Sequence, residues 1–257
     1  MSGAAASARV AHLCRHPIKA IGHEELDATR LEAGKGFAHD RRWAVLHAAG
    51  RSPGPQGGWM PKSNFLRGVA GPELMAVRAE LDEAAGQVTL RHPRAEPITV
   101  APDSEAGAAA LLAWLRPLWP ETRPEPARII AAGEGAFTDV PEPFVAVLNL
   151  SSNRVLSERL GQPLSIHRWR GNIWLDGLAP WEEFDLPGRE IAIGSARLKV
   201  EERITRCKAT TANPETGRVD ADTLGALQQA YGHQDFGVYA RVIAGGDVQC
   251  GDRMELS

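Results

Sequence analysis

Short apolar segments separated by glycine and proline fill the first hundred residues of the chain, and they restrict this half to strands. Residues 44–47 follow a charged cluster, residues 87–91 alternate apolar and polar side chains, and residues 98–100 are β-branched. The sequence therefore predicts an all-β first module. Residues 51–58 contain five glycines or prolines in eight, which predicts a mobile surface loop.

The pattern changes to a helical period at residues 104–118. Asp103 or Ser104 can cap this helix, alanine and leucine fill it, and Pro120 ends it. The stretch that follows, up to residue 143, is rich in proline, glutamate and arginine, which is typical of a connector. We therefore divide the chain into a first module, residues 1–120, and a second domain, residues 121–257.

The second domain mixes helices with strands. Ser151 or Ser152 can cap a helix that ends at Leu160 before Gly161, and Asp222 can cap another that runs to Tyr231 before Gly232. The predicted strands are residues 165–169, 191–193, 197–200, 236–243 and 254–256. A closed or strongly curved barrel with helical insertions accommodates this order, so the predicted fold class is mainly β with α+β character.

Composition and charge exclude several classes of protein. The 257 residues are 43% hydrophobic and 24% charged, as in an ordinary globular protein. A formal charge of −3 gives no net positive charge that would attract nucleic acid or an anionic membrane. Three scattered cysteines indicate a reducing compartment. Because the N-terminal tail lacks signal-peptide features and no segment is long enough to span a bilayer, we expect a cytoplasmic protein that binds neither nucleic acid nor membrane.

Cys207 is the strongest candidate in the sequence for a metal ligand or a nucleophile. It lies among Arg203, Arg206 and Lys208, and fixed positive charge favours the thiolate, which ligates soft metals or attacks electrophiles. The alternation at residues 198–200 and the turn residues that follow place it at or just past a strand end. The alternative is a buried cysteine that acts as a small hydrophobic residue.

Arg168, Arg170 and Asn172 form a second candidate site. On a strand they would share one face, where two guanidinium groups suit phosphate and the amide suits the edge of a heterocycle. The alternative is a solvated strand face whose arginines pair with carboxylates such as Glu182, Glu183 and Asp185.

Weaker signals lie near the N-terminus. Asp40 could hold an arginine of the Arg41–Arg42 pair, and Trp43 could line a pocket or simply pack. Lys19 is a lone base whose ordinary interpretation is a solvated lysine. His12, Cys14 and His16 alternate like metal ligands but lack a fourth partner, so they are a weak zinc signal.

Taken together, the motifs resemble those of the MOSC domain, found in molybdenum-cofactor sulfurases and amidoxime reducing components. The resemblance covers residues 130–257 in order and spacing. It rests on Arg170-Gly171-Asn172-Ile173, Ile193-Gly194, Thr205-Arg206-Cys207, the run Thr210 to Gly217, Phe236-Gly237-Val238-Tyr239 and Gly251-Asp252. His16-Pro17-Ile18-Lys19 and Asp40-Arg41-Arg42-Trp43 resemble the β-barrel module that precedes MOSC in the amidoxime reducing group.

The resemblance implies a fold and a site. It implies an N-terminal β-barrel module followed by a MOSC β-barrel domain that binds a molybdopterin-type molybdenum cofactor. Cys207 would ligate the metal, and Asp139 would be the acidic residue near it. The residues that would hold the pterin and its phosphate are Lys19, Arg41, Arg170, Asn172 and Thr205.

The same resemblance implies a molybdenum-dependent oxidoreductase that reduces N-hydroxylated compounds, or N- or S-oxides, as small-molecule substrates. Since the chain has no cysteine cluster for an iron–sulfur domain, the electrons would come from a separate donor protein of ferredoxin or flavoprotein type. Two alternatives remain open. One is a sulfur-transfer protein that carries a persulfide on Cys207, and the other is a non-catalytic module that binds or delivers the cofactor.

The chain departs from the family pattern in three places. Ile204 stands where the family has the first cysteine of Cys-Ser-Arg-Cys, and Ala20 follows Lys19 where a serine is usual. Both changes alter hydrogen bonding near the pterin but keep the predicted ligand. Residues 51–65 do not resemble the corresponding family loop, which leaves this wall of the pocket without a prediction.

Overall fold

The computed structural model describes residues 8–51 and 59–256, and strands dominate this part of the chain. Its strands are β1 (Arg9–Arg15), β2 (Glu24–Leu26), β3 (Ala28–Leu31), β4 (Trp43–His47), β5 (Arg78–Asp82), β6 (Gln87–His92), β7 (Ala95–Val100), β8 (Pro126–Ala131), β9 (Val145–Asn149), β10 (Ile173–Asp176), β11 (Glu190–Ile193), β12 (Ala196–Thr205), β13 (Asp235–Ala244), β14 (Gly246–Gln249) and β15 (Met254–Leu256). Its α-helices are α1 (Glu105–Leu115), α2 (Leu150–Leu160) and α3 (Thr223–Tyr231). The predicted fold class, mainly β with α+β character, is confirmed.

An eight-stranded curled sheet organises the molecule, in the order β15-β11-β12-β13-β9-β10-β1-β2. Its neighbours pair antiparallel except β9 and β10, which are parallel and are connected through α2. The two longest strands, β12 and β13, pair with several register shifts, which bend and twist the strands. The remaining strands form the sheet β5-β6-β7 and the pairs β4-β8 and β3-β14.

Strands of the two halves pair with each other. β1 and β2 lie at one edge of the sheet that the second half builds, β3 pairs with β14, and β8 pairs with β4. The division of the chain at residue 120 stays a prediction about sequence modules, and strand pairs cross it in both directions. A site formed by both halves is therefore built into the topology.

Both faces of the central strand β9 are buried. Val145 and Val147 point into one core, and Ala146 and Leu148 point into a second core that α2 and α3 cover. A third core lies under α1, which packs against β7 and β8. The sheet is thus enclosed on both faces at β9, where β10 and β13 flank it.

The helix ends are partly as predicted. Ser104 and Asp222 cap α1 and α3, with side-chain oxygens that accept from Gly107 N at 3.0 Å and Gly225 N at 2.9 Å. The prediction that Ser151 or Ser152 caps α2 is wrong. Asn149 is the cap, and its Oδ1 accepts from the Ser151 amide at 2.9 Å.

The predicted strands lie in the observed ones, with one exception. Residues 165–169 do not form a strand, because Ile166–Trp169 is a 3₁₀ helix and Arg170 follows with a left-handed φ of 49°. Arg168, Arg170 and Asn172 consequently do not share a strand face. The nearest strand, β10, begins only at Ile173.

Two predictions concern residues that the structure describes in small part. The loop at residues 51–58 and the tail at residues 1–9 lie almost entirely outside the described ranges. Within those ranges no helix has both the length and the apolar character needed to cross a lipid bilayer.

Candidate functional site

One pocket between the two halves is lined by every predicted site residue. These are Lys19, Arg41, Asp139, Arg170, Asn172, Thr205 and Cys207. Lys19 and Arg41 lie in the turns after β1 and before β4, and the others lie in connections of the second half or, for Thr205, at the end of β12. The strand pairing across residue 120 brings these turns together.

Cys207 lies just past the end of β12, as predicted, and its side chain is exposed to the pocket. The backbone is fixed, because the Cys207 carbonyl accepts hydrogen bonds from the Thr210 amide and the Thr210 hydroxyl, both at 3.1 Å. The alternative of a buried, inert cysteine is wrong. The sulfur is available to a ligand while its backbone is held.

The prediction that Arg203, Arg206 and Lys208 surround Cys207 needs correction, because of these three cations only Arg206 lines the pocket. Its Nε and Nη1 donate to Phe236 O and Trp169 O, each at 2.7 Å. Arg203 lies instead over the Phe184 ring, 4.2 Å from its centroid.

The pocket is nevertheless strongly positive. Asp139 is its single carboxylate among the described lining residues, against seven cations: Lys19, Arg41, Lys62, Arg67, Arg168, Arg170 and Arg206. Burial and the neighbouring Arg41 lower the pKa of Arg170, and burial lowers the pKa of Lys19 and Arg206. These shifts mean that the charged forms are electrostatically disfavoured, so an anion in the pocket would stabilise them.

Lys19 is not a solvated lysine, since only 3% of its side chain is exposed. Its Nζ donates to Asp139 Oδ1 at 2.5 Å and to Phe137 O at 2.8 Å. Burial alone would raise the pKa of Asp139, but Lys19 and Lys62 outweigh it and lower that pKa. Asp139 is therefore a carboxylate at neutral pH.

A buried carboxylate positions Arg41. Asp40 Oδ1 accepts from the His16 amide at 2.7 Å and contacts His16 Nδ1 at 3.0 Å, while Oδ2 pairs with Arg41 Nη1. The prediction that Asp40 holds an arginine is confirmed. Trp43 is fully buried and packs, so it does not line the pocket.

Arg170 joins the two halves. Its Nη1 and Nη2 donate to Gly22 O at 2.9 Å and Ile18 O at 3.3 Å, and its own carbonyl accepts from Arg41 Nη2 at 3.2 Å. Arg41 and Arg170 both have left-handed φ values, 51° and 49°. Such backbone costs free energy, and these contacts hold it in place.

The side chains of two predicted cofactor residues, Asn172 and Thr205, make hydrogen bonds within the protein. Asn172 Oδ1 accepts from Ala146 N at 3.1 Å, and its Nδ2 donates to Cys14 O at 3.2 Å, which ties β1 to β9. The Thr205 hydroxyl donates to Asp235 at 2.6 Å. Both residues line the pocket, and their role toward a cofactor stays a prediction.

Arg168 also lines the pocket, although it was not among the predicted cofactor residues. It pairs with Asp220 at 2.7 Å, so the suggestion that it pairs with Glu182, Glu183 or Asp185 is wrong. Glu183 is buried and accepts from Asn149 and Ser152 instead. The Arg168 Nε is buried and has no hydrogen-bond partner in the described structure.

Lys62, Arg67, Arg206 and Tyr239 line the pocket but were not predicted as site residues. Arg206 could have been found from the Thr205-Arg206-Cys207 motif and Tyr239 from the Phe236-Gly237-Val238-Tyr239 motif. Lys62 belongs to the segment that does not resemble the family loop, and nothing in the sequence indicated Arg67.

The weak zinc triplet does not assemble. His12 pairs with Glu25 at 2.8 Å, Cys14 is buried, and His16 contacts Asp40. In residues 8–51 and 59–256 no group of three ligating side chains is placed to hold a metal ion.

Two buried histidines, His16 and His23, are expected to lower the free energy of unfolding in acid. Burial and the nearby Arg170 lower the pKa of His16 to about 3, although Asp40 opposes the shift. Burial and the stacked His167, 3.9 Å away between ring centroids, lower the pKa of His23 to about 2. Both pKa values lie below the unfolded value of about 6.5, so the stabilisation is complete above that pH and is lost as the pH falls toward the folded values.

We expect the free energy of unfolding to fall by about 1.4 kcal/mol per pH unit for each of these histidines once the pH is well below 6.5. Urea denaturation at pH 7.0, 5.5 and 4.5 measures this slope. The His16→Gln variant should show a smaller slope than the wild type, whatever its stability at pH 7. An equal slope in both proteins would contradict the assignment to His16.

Comparison with known proteins gives two family matches that together span most of the chain. The model described as the MOSC N-terminal beta barrel domain matches residues 7–115, and the model described as the MOSC domain matches residues 135–255. All seven predicted site residues fall within these ranges. No protein of curated function matches the chain.

Solved structures show low similarity. The YUAD protein from Bacillus subtilis is 12% identical, with a TM-score of 0.46 over 97% of this chain and 95% of that one. YiiM from Geobacillus stearothermophilus is 20% identical, with a TM-score of 0.34 over 44% of this chain. The chain spans about half, 53%, of the length of that YiiM chain.

Proposed function

The chain belongs to the MOSC domain proteins that carry the MOSC N-terminal beta barrel domain, and from this premise we propose that it is a molybdenum-cofactor oxidoreductase. The MOSC family is associated with molybdenum-cofactor binding. The proposed reaction is reduction of N-hydroxylated compounds, or of related N- or S-oxides. The proposed partners are a small-molecule substrate and a separate electron donor of ferredoxin or flavoprotein type, in a reducing compartment such as the cytoplasm.

The observation that carries the proposal is the convergence of one exposed thiol and seven cations on one pocket. A molybdopterin-type cofactor presents the two matching groups, a soft metal and an anionic phosphate. The pKa values of Lys19, Arg170 and Arg206, all lowered largely by burial, indicate that this pocket favours an anion. The unpaired Arg168 Nε offers one more buried donor. The residues present therefore fit the cofactor.

Specific residues would hold the cofactor. Cys207 would be the metal ligand, because its sulfur is exposed and its backbone is fixed by Thr210. Lys19, Arg41 and Arg170 would hold the phosphate and the pterin, since all three line the pocket and are positioned by hydrogen bonds from both halves. When bound, the cofactor supplies a two-electron centre that accepts an oxygen atom.

The chain itself contributes groups that hold protons and charge. Reduction breaks the substrate's N–O bond, consumes two electrons and two protons, and releases water. Burial raises the pKa of Tyr239 despite the nearby Arg206, so its phenol keeps its proton and can donate to an oxygen in the pocket. Asp139, whose pKa is lowered, remains a carboxylate that can accept a hydrogen bond from an N–H group of the substrate.

Cofactor analysis tests the proposal. The full chain is purified from a host that makes the molybdenum cofactor and from a matched strain that cannot. We expect about one molybdenum and one pterin per chain from the first host and none from the second, together with N-reduction when a competent electron donor is added. Absence of molybdenum and pterin from both preparations would overturn the proposal.

The exposed thiol also favours a second candidate, a sulfur carrier that holds a persulfide on Cys207. Intact-protein mass spectrometry separates the two functions. A sulfur carrier predicts a labile additional sulfur on Cys207 in protein that contains no metal. Bound cofactor without turnover, given a competent donor, would favour a binding or delivery module.

A further inference from the structure

Two cations of the pocket have no assigned role, and both come from the stretch after residue 58. Lys62 lies in a short 3₁₀ turn, and its side chain is 50% exposed. Arg67 lies in a turn whose backbone is fixed, because its carbonyl accepts from Ala70 N at 2.9 Å and Gly71 N at 3.0 Å. Both residues line the pocket beside Val69, which is 38% exposed. They therefore form part of its mouth.

The Arg67 turn lies against the loop that displays Cys207. A side chain at Gly68 would come within 2.7 Å of Met75 Sδ and 3.2 Å of Ala209 Cβ. Ala209 belongs to the 3₁₀ helix that begins directly after Cys207. Arg67 is thus held next to the loop where the proposed chemistry takes place.

Arg67 differs from the other pocket arginines in having no partner. Arg41 pairs with Asp40, Arg168 pairs with Asp220, and Arg170 donates to two carbonyls. The guanidinium of the half-buried Arg67 makes no hydrogen bond or ion pair within the described part of the chain. A charged group that has given up part of its hydration without a partner is poised to bind an anion.

The single carboxylate among the described lining residues, Asp139, does not neutralise this mouth. Asp139 already binds Lys19 at 2.5 Å, and Lys62 reaches its other oxygen only at 3.8 Å. Val69 and Met75 also line the pocket and add apolar surface to it. A ligand that matches this mouth has an apolar body and one anionic end.

We propose that Arg67, assisted by Lys62, forms a second anion subsite that selects substrates carrying a carboxylate. This inference rests on the proposed function and deepens it, because it assigns the substrate class to anionic N-oxygenated compounds. Arg67 is then a specificity residue. It binds the end of the substrate remote from the N–O bond, and the predicted phosphate residues Lys19, Arg41 and Arg170 serve the cofactor.

The test compares matched ligands that differ by one carboxylate. Benzamide and 4-carboxybenzamide, which cannot be reduced at an N–O bond, are titrated calorimetrically into cofactor-loaded wild type, Arg67→Ala and Arg67→Lys. Steady-state kinetics use benzamidoxime and 4-carboxybenzamidoxime on the same proteins. Arg91→Ala is the matched control, because Arg91 is an exposed arginine paired with Glu80 away from the pocket.

We expect the wild type to bind the carboxylate ligand about tenfold more tightly than the neutral one, and Arg67→Ala to lose most of this preference. KM for the carboxylate substrate should rise by a similar factor with kcat nearly unchanged, and Arg67→Lys should retain part of the preference. The control should behave as wild type. Higher salt should weaken binding of the carboxylate ligand more than binding of the neutral one.

Three results would overturn the inference. In the first, the wild type binds the carboxylate ligand no more tightly than the neutral one. In the second, Arg67→Ala loses the same affinity for both ligands, and in the third it loses pterin and molybdenum, which would make Arg67 a cofactor ligand. Calorimetry does not require turnover. A wild type that shows the carboxylate preference but reduces neither substrate would support the subsite and contradict the proposed reaction.

Discussion

Replacing Cys207 with alanine is expected to remove molybdenum from the purified protein and to lower N-reduction by at least roughly 100-fold, because Cys207 is the single thiol among the described residues that line the pocket. The fold should survive. The Cys207 side chain is exposed, and its backbone carbonyl, which Thr210 binds, is retained in the variant. The free energy of unfolding should therefore stay within about 0.5 kcal/mol of the wild type.

Cys250→Ala is the matched control for this experiment. Cys250 is also an exposed free cysteine, but it lies after β14 and its sulfur contacts Leu26 O at 3.6 Å. The control should retain metal, pterin and turnover. Mass spectrometry measures metal content, fluorescence after oxidation measures pterin content, steady-state kinetics measure turnover, and urea denaturation measures the free energy of unfolding. Full turnover in Cys207→Ala would refute the role of this residue as the metal ligand.

Local patterns in the sequence were sufficient for seven of the fifteen described strands, β4, β6, β7, β11, β12, β13 and β15, and for the position of Cys207. The alternation at residues 198–200 and the turn residues after 212 lie on either side of the end of β12, and this geometry places the thiol on a loop. The caps Ser104 and Asp222 were equally readable, since each is a short polar side chain before a helical run. These features depend only on neighbouring residues.

The conformation of the segment before β10 could not be predicted from neighbouring residues. Arg168-Trp169-Arg170 alternates charge and bulk as a strand would, but tertiary contacts determine its conformation. Trp169 stacks on Phe236 with centroids 3.8 Å apart, and its indole donates to Asn153 at 2.8 Å. Burial of the Trp169 ring and the Arg168 ion pair with Asp220 favour a 3₁₀ helix there.

The assembly of the site also depends on contacts that are distant in sequence. The local context of Lys19 indicated an ordinary solvated lysine, but its side chain is buried, and Asp139 and the Phe137 carbonyl accept hydrogen bonds from its ammonium group. Only the family resemblance linked Lys19 and Asp139, and the strand pairing across residue 120 explains their contact. Lys62 lies in the segment where the resemblance fails, and no sequence pattern indicated Arg67, so only the structure shows that both line the pocket.

Replacing Arg170 with alanine is expected to weaken retention of the cofactor by roughly 10- to 100-fold, because hydrogen bonds to a charged group contribute about 1.5–3 kcal/mol. Arg170 lines the pocket, and burial together with Arg41 lowers its pKa, so the guanidinium carries an unfavourable charge that a phosphate would stabilise. Pterin and molybdenum content after gel filtration, over a series of dilutions, measures retention.

The variant also removes hydrogen bonds that join the two halves, and a stability measurement must separate the two effects. Arg170 donates to Gly22 O and Ile18 O, so alanine should lower the free energy of unfolding by about 1–3 kcal/mol even in protein without cofactor. Arg170→Lys keeps one positive charge but lacks the planar fork, and it should retain cofactor better than alanine and less well than arginine.

Arg154→Ala is the matched control, since this exposed arginine pairs with Asp176 outside the pocket. It should retain cofactor as the wild type does. If Arg170→Ala loses stability but keeps full pterin and molybdenum content, the arginine only ties the first half of the chain to the second. If retention follows the series arginine, lysine, alanine while the control is unaffected, the charge of Arg170 acts on the cofactor itself.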